Sequence, residues 1–236
     1  MKDLPMSDPI PELKKMFETR KFDDAIHLCQ KLLVKNSDDP IALQNLSTAY
    51  YMVGAYEDAK KCCDRILEKE PQDEHAIKNK MLVLEKLELH EEVLECCEMI
   101  LSKNENDLVA IITKGIALNK IGKHEDSLIL YENALKLDKK NVDALMNMAV
   151  TLSHLKRYQE AIPYYDLVQE IMPEFSRAAK EKSNAFHELG KDDDAFLAAQ
   201  GILLKDADLL KAEANEKKYS VQHAFALKSY YKKQQE

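Results

Sequence analysis

Glycine and proline are scarce, 5 and 7 residues of 236, and no tract is dominated by either. That excludes flexible linker or low-complexity disorder as the main content of the chain. Long uninterrupted apolar runs are missing as well. The opening "MKDLPMSDPIPELKK" lacks the apolar core of a signal peptide, and no segment approaches the length that spans a bilayer. The expected location is therefore the cytosol, where five cysteines, an odd number, should remain thiols. Positive charge is short: a formal net charge of -8 argues against a general nucleic-acid binder, because phosphate contacts need a basic face. Glycine-rich phosphate loops, a Gly-x-Ser-x-Gly elbow and a His-Glu-x-x-His pair are all absent, so the sequence points to no enzyme and implies no cofactor.

What is present is 45% apolar and 32% charged residues in long periodic runs, the profile of an ordered helical protein. Two cysteine doublets, Cys62–Cys63 and Cys96–Cys97, lie 34 residues apart, and other positions repeat with that step. Stepping from Ala25 gives Ala59, Val93, Ser127, Ala161 and Ala195, all small or modest. Three places earlier come Phe22, Tyr56, His90, His124, Tyr158 and Asp192, a ring in all but the last. Seven places after the small residue come Leu32, Ile66, Ile100, Ala134, Val168 and Ile202, all apolar. Spacings of three, four and seven share one helical face, so each unit predicts a helix presenting these three positions together.

A first helix precedes it in every unit. Asp39, Asp73, Asp107 and Asn141 close successive units and can accept a hydrogen bond from the free amides that open the next helix. Pro40 follows Asp39 as a first-turn proline. The fifth unit ends in Phe175, which leaves Ser176 as the expected cap there. Midway through the units Gly54, Gly122 and Gly190 share a phase in which Arg20, Glu88 and Lys156 occupy the other three units. Glycine helps the chain turn back at this place without being required.

This pattern resembles the tetratricopeptide repeat (TPR) family, whose 34-residue helix-turn-helix unit carries a loose set of large and small positions. The second unit matches best, with Leu43, Leu46, Ser47, Tyr50, Gly54, Tyr56, Ala59 and Pro71; the fifth repeats the theme with Leu145, Ala149, Leu152, Tyr158, Ala161, Tyr165 and Pro173. Met81, where a small residue is expected, Pro9 and Pro11 in the first unit and Asp192 in the last depart from it. The resemblance implies an all-α fold, a right-handed α-solenoid of stacked antiparallel helix pairs. Residues 1–5 then form a tail. Six units run over 6–39, 40–73, 74–107, 108–141, 142–175 and 176–205, and 206–236 read as capping helices with Val221, Ala224, Phe225 and Tyr231 on one face.

The resemblance also implies a concave groove lined by first helices, in which peptides bind, and a function as a protein-interaction scaffold. Groove positions carried over by register are Gln44, Asn45, Thr48 and Met52, then Lys78, Asn79, Leu82 and Lys86. Val109, Ile112, Thr113 and Ile116 follow, then Met146, Asn147, Val150 and His154, and finally Arg177, Lys180, Glu181 and Asn184. The co-chaperone carboxylate clamp of this family takes Lys and Asn from one repeat, Asn from the next, and Lys and Arg from the one after. Around Asn79 stand Gln44, Thr48, Val109 and Thr113, and around Asn147 stand Ile112, Ile116, Arg177 and Glu181, so no register assembles it. In its place an apolar patch of Leu82, Val109, Ile112, Ile116, Met146 and Val150 is expected, with Lys78, Lys86 and Lys120 at one side. Its occupants could be a partner's apolar segment, the chain's own C-terminal helix or a second copy; packing between helices is the other use of such residues.

Three smaller features complete the reading. His154 and His187 lie in adjacent units with no evident third ligand, which does not make a metal site. Cys63 and Cys97 fall at the inward second-helix position, and Cys62 and Cys96 one place earlier, where partial exposure is expected. Lys217, Lys218, Lys228, Lys232 and Lys233, interleaved with Tyr219, Tyr230 and Tyr231, offer a basic aromatic tail as an alternative contact for nucleic acid or an anionic membrane.

Overall fold

The computed structural model describes residues 9–233, without the side chains of 231 and 233. The expected tail at 1–5, the start of the first repeat at Met6 and the place of the Tyr231 and Lys233 side chains lie outside these residues. Among the described residues there are fourteen α-helices and no strand. The chain divides into two compact units, one ending at Ile121 and one beginning at Gly122.

The first unit holds α1 (Ile10–Glu18), α2 (Phe22–Lys35), α3 (Pro40–Met52), α4 (Tyr56–Lys69), α5 (Glu74–Lys86), α6 (His90–Lys103) and α7 (Leu108–Lys120). Each helix packs on the next, and α3 also touches α5, so first helices stack beside one another. The small residues of the repeat are the reason these helices approach closely. Ala25, Ala59 and Val93 are all buried; Ala25 clusters with Leu13, Leu43 and Leu46, and Val93 with Ile77 and Leu84. Met81, large where a small residue was expected, is also buried and sits 3.5 Å from Cys97 Sγ. One repeat earlier Ser47 Oγ stands in its place, 3.0 Å from Cys63 Sγ. A longer side chain thus meets the same thiol position without opening the stack.

The second unit holds α8 (His124–Leu137), α9 (Val142–His154), α10 (Tyr158–Ile171), α11 (Ser176–Glu188), α12 (Asp192–Ala199), α13 (Leu204–Lys217) and α14 (Val221–Lys233). Ser127, Ala161 and Ala195 are its buried small positions, with Tyr131, Tyr165, Val168 and Phe186 around them.

Cap and turn chemistry follow the sequence closely. The side chains of Asp39, Asp73, Asp107 and Asn141 accept from the backbone N–H of Ala42, Ala76, Ala110 and Ala144 at 2.6–3.0 Å. All six turn positions adopt left-handed backbone: Gly54, Gly122 and Gly190 at φ 80, 84 and 68°, and Arg20, Glu88 and Lys156 at 56, 58 and 59°. At Lys156 the N–H reaches Ser153 O while that of Arg157 reaches Leu152 O, the paired bonds that close a helix whose last carbonyls lack intrahelical donors.

Two expectations fail here. Ser176 does not cap α11, because it is the first residue of that helix; the cap position is Phe175, whose side chain makes no capping bond. The Ser176 N–H instead donates to Glu174 O at 2.8 Å. Ile202 does not lie on the sixth second helix. That helix stops at Ala199, Gly201 turns left-handed at φ 76°, and Ile202 lies in the loop before α13. The loop is pinned by the fully buried Lys182, whose Nζ donates to Asp166 Oδ1 at 2.7 Å and to Ile202 O at 2.8 Å. Asp166 in turn accepts the Leu204 N–H at 3.1 Å and so caps α13 from another helix. Beyond it, Val221 and Ala224 of α14 are buried against Leu197, Leu210 and Ala214, and Phe225 meets Phe196 edge-on at 5.7 Å.

Candidate functional site

In the first unit α3 and α5 lie side by side, and a notch of about 220 Å³ opens between them. Thr48, Tyr51, Met52, Asn79 and Leu82 line it, with Ser47 and Val83 beneath. The Ser47 hydroxyl is buried and donates to Ala59 O at 3.1 Å, so the floor presents little free polarity. Met52 and Leu82 are 51% and 37% exposed, which leaves two apolar side chains facing solvent across a concavity. Tyr51 is fixed by an edge contact with Tyr56, ring centroids 5.6 Å apart. The arrangement can take an apolar side chain, held by burial and steered by the Thr48 hydroxyl and the Asn79 amide.

Four of the residues expected in a groove therefore converge here: Thr48, Met52, Asn79 and Leu82. Tyr51 and Val83 were missed. Tyr51 could have been found from its spacing of five before Tyr56, which Phe17 and Phe22 repeat with centroids 6.1 Å apart.

The remaining expected residues are placed as follows. Lys78 is not a free rim cation: it pairs with Glu74 at 2.8 Å and Asp107 at 3.1 Å. Partial burial opposes ionisation of Asp107, yet the Ala110 N–H and Lys78 together hold its carboxyl below the usual range. Val109 is 59% exposed, Ile116 half-buried and Ile112 only 8% exposed. In the second unit Met146 is 5% exposed, Val150 half-buried and Arg177 exposed. Asn147 donates its amide to Asp143 O at 2.8 Å. Ile112 and Met146 thus correct the expectation of an uncovered patch at those positions: both are buried among neighbouring side chains.

The cysteines are corrected in the same direction. Cys62 and Cys96, expected partly exposed, are buried like the other three. Burial pushes the thiols of Cys62 and Cys97 up to about 12, and those of Cys29 and Cys96 up to about 11. Among the described residues no group of three or more His, Cys, Asp or Glu could hold a metal ion. His154 meets His124 edge-on at 5.9 Å, and His187 lies 3.6 Å from Asp192.

Family models described as tetratricopeptide repeat match residues 16–81 and 130–162. The chain is a tetratricopeptide repeat protein. As such it shares its all-α helix-pair fold with solved relatives. A TPR protein from Parabacteroides merdae superposes with a TM-score of 0.70 at 16% identity, over 80% of this chain and 75% of that one. MamA from Desulfovibrio magneticus gives 0.65 at 18%, over 70% and 93%. YrrB, described as a TPR protein with an unusual peptide-binding site, gives 0.58 at 18%, over 73% and 89%. Among curated protein sequences none matches this TPR protein. No helix among the described residues is long and apolar enough to cross a membrane.

Proposed function

We propose that this TPR protein is a non-enzymatic interaction scaffold that seats an apolar side chain of a partner's segment in the notch between α3 and α5. The observation that carries the reading is the 220 Å³ concavity with Met52 and Leu82 exposed across it, on first-helix positions that face peptides in this family. YrrB, with its peptide-binding site on the same fold, supports a peptide as the ligand class. The chain's own C-terminal helix is a poor occupant, because α14 is engaged with α12 and α13. Burying one apolar side chain is worth about 1.5–3 kcal/mol, so losing it weakens binding roughly ten- to a hundredfold.

Panning a random peptide library against the protein tests this. Selected peptides should share an apolar anchor and lose at least about tenfold in affinity for Leu82→Asp, whose circular dichroism stays helical. Peptides that bind Leu82→Asp as well as wild type would sink the reading. Self-association through the same notch would instead appear as a mass that rises with concentration in light scattering and falls back in the same variant.

A further inference from the structure

A cross-helix ion pair recurs with the repeat. A first-helix lysine reaches an acid sixteen residues earlier on the preceding second helix: Lys80 to Asp64 at 2.5 Å, Lys114 to Glu98 at 3.2 Å and Lys182 to Asp166 at 2.7 Å. Stepping by 34 finds the same position twice more. At Gln30 and Leu46 both halves are neutral, and Gln30 Nε2 donates to the Tyr50 hydroxyl at 3.1 Å instead. At Glu132 and Met148 the acid is kept and the lysine is lost.

Beside that missing lysine, between α8 and α10, lies a cavity of about 490 Å³. Leu128, Met148 and Leu152, all buried, form its floor, and Ile129 and Pro163 stand exposed at its wall. Glu125, Glu132 and Glu160 line it together with a single basic residue, Arg157. Arg157 is already committed: Nε and Nη2 donate to the two carboxylate oxygens of Glu160, both at 2.7 Å, and Nη1 lies 3.4 Å from Glu125. That bidentate bond holds the Glu160 carboxyl below its ordinary range. Three carboxylates against one guanidinium leave an excess of two negative charges over an apolar floor.

We propose that this cavity binds a lysine side chain from an apolar segment of a protein partner. The ammonium pairs with Glu132, in the place that the chain's own lysine holds in three other repeats, and the methylenes lie on Met148 and Leu152. The site is formed by α8 and α10 with a floor from α9, all in the second unit, and is independent of the notch between α3 and α5.

The probe is the doubly capped peptide Ala-Leu-Lys-Leu-Ala, with a counterpart carrying norleucine for lysine, titrated into the full chain and followed by amide NMR shifts. Saturable shifts confined to α8, α10 and the Met148–Leu152 face of α9 are expected. Norleucine in the peptide, or Glu132→Gln in the protein, should each weaken binding by about tenfold, and the two together by no more than either alone. Met148→Lys should abolish binding by supplying the ammonium from within, with helicity retained. Leu82→Asp should leave this binding unchanged. The proposal is overturned by an absence of saturable shifts at α8 and α10, by equal binding of the norleucine peptide, or by full affinity in Glu132→Gln.

Discussion

At the scale of single residues, the cysteines show how a repeat can imitate a chemical motif. Two adjacent doublets look like a metal or redox set, but neighbouring helical residues point about 100° apart, and all five thiols are buried in the stack. Burial disfavours the thiolate, which is the nucleophile and the metal ligand. In the folded protein a thiol reagent at neutral pH should therefore modify none of them within minutes, and all five after unfolding in urea. The same burial makes stability depend on pH. Unfolded thiols ionise near the ordinary value of 9.0, whereas Cys62 and Cys97 keep their protons to about 12. A raised folded-state value means that their contribution is complete below pH 9 and is lost as pH rises through 9 toward 12. Urea midpoints should fall between pH 8 and pH 10, and fall less in the Cys62→Ala, Cys97→Ala double variant; an equal fall in both would refute the assignment.

At the scale of the helix pair, local rules and packing share the work. The Asp and Asn caps are written in the sequence because their bond is to an amide three residues away. The left-handed turn is written less clearly, since only half of the six units supply glycine there. Arg20, Glu88 and Lys156 adopt it because the stacked helices on either side dictate it. A non-glycine residue at this conformation costs about 1 kcal/mol, so Glu88→Gly and Lys156→Gly should each raise stability by roughly 0.5–1 kcal/mol. Gly54→Ala should lower it by about 1 kcal/mol for the same reason; although a Cβ at Gly54 meets nothing within 4 Å, its φ of 80° remains. Chemical denaturation of the three variants checks both signs.

At the scale of the whole molecule, the question is where an array of like units ends. Lys182 decides it at the C-terminal side: a fully buried ammonium holds both Asp166 and the loop carbonyl of Ile202, and Asp166 starts α13. Lys182→Met should destabilise the protein by roughly 3–5 kcal/mol, because it leaves a partly buried carboxylate without its cation. Proteolysis should then open first near 200–204, and Asp166→Asn added to Lys182→Met should recover part of the loss. Cleavage elsewhere, or a loss under 1 kcal/mol, would remove this role.

The sequence by itself determined the 34-residue period, the all-α TPR fold and the caps at Asp39, Asp73, Asp107 and Asn141, because each depends on residues close in the chain or on a pattern repeated until chance is excluded. Only the tertiary structure decided which apolar side chains stay in water. Ile112 and Leu82 look alike in the sequence as first-helix apolar residues, yet one is core and the other lines a notch. Likewise Met148 reads as an ordinary core methionine until the ion pairs of its sister repeats reveal that Glu132 has lost its lysine. Exposure and pairing are sums over neighbours from other helices, and a periodic sequence does not specify at which of its equivalent positions those neighbours stand aside.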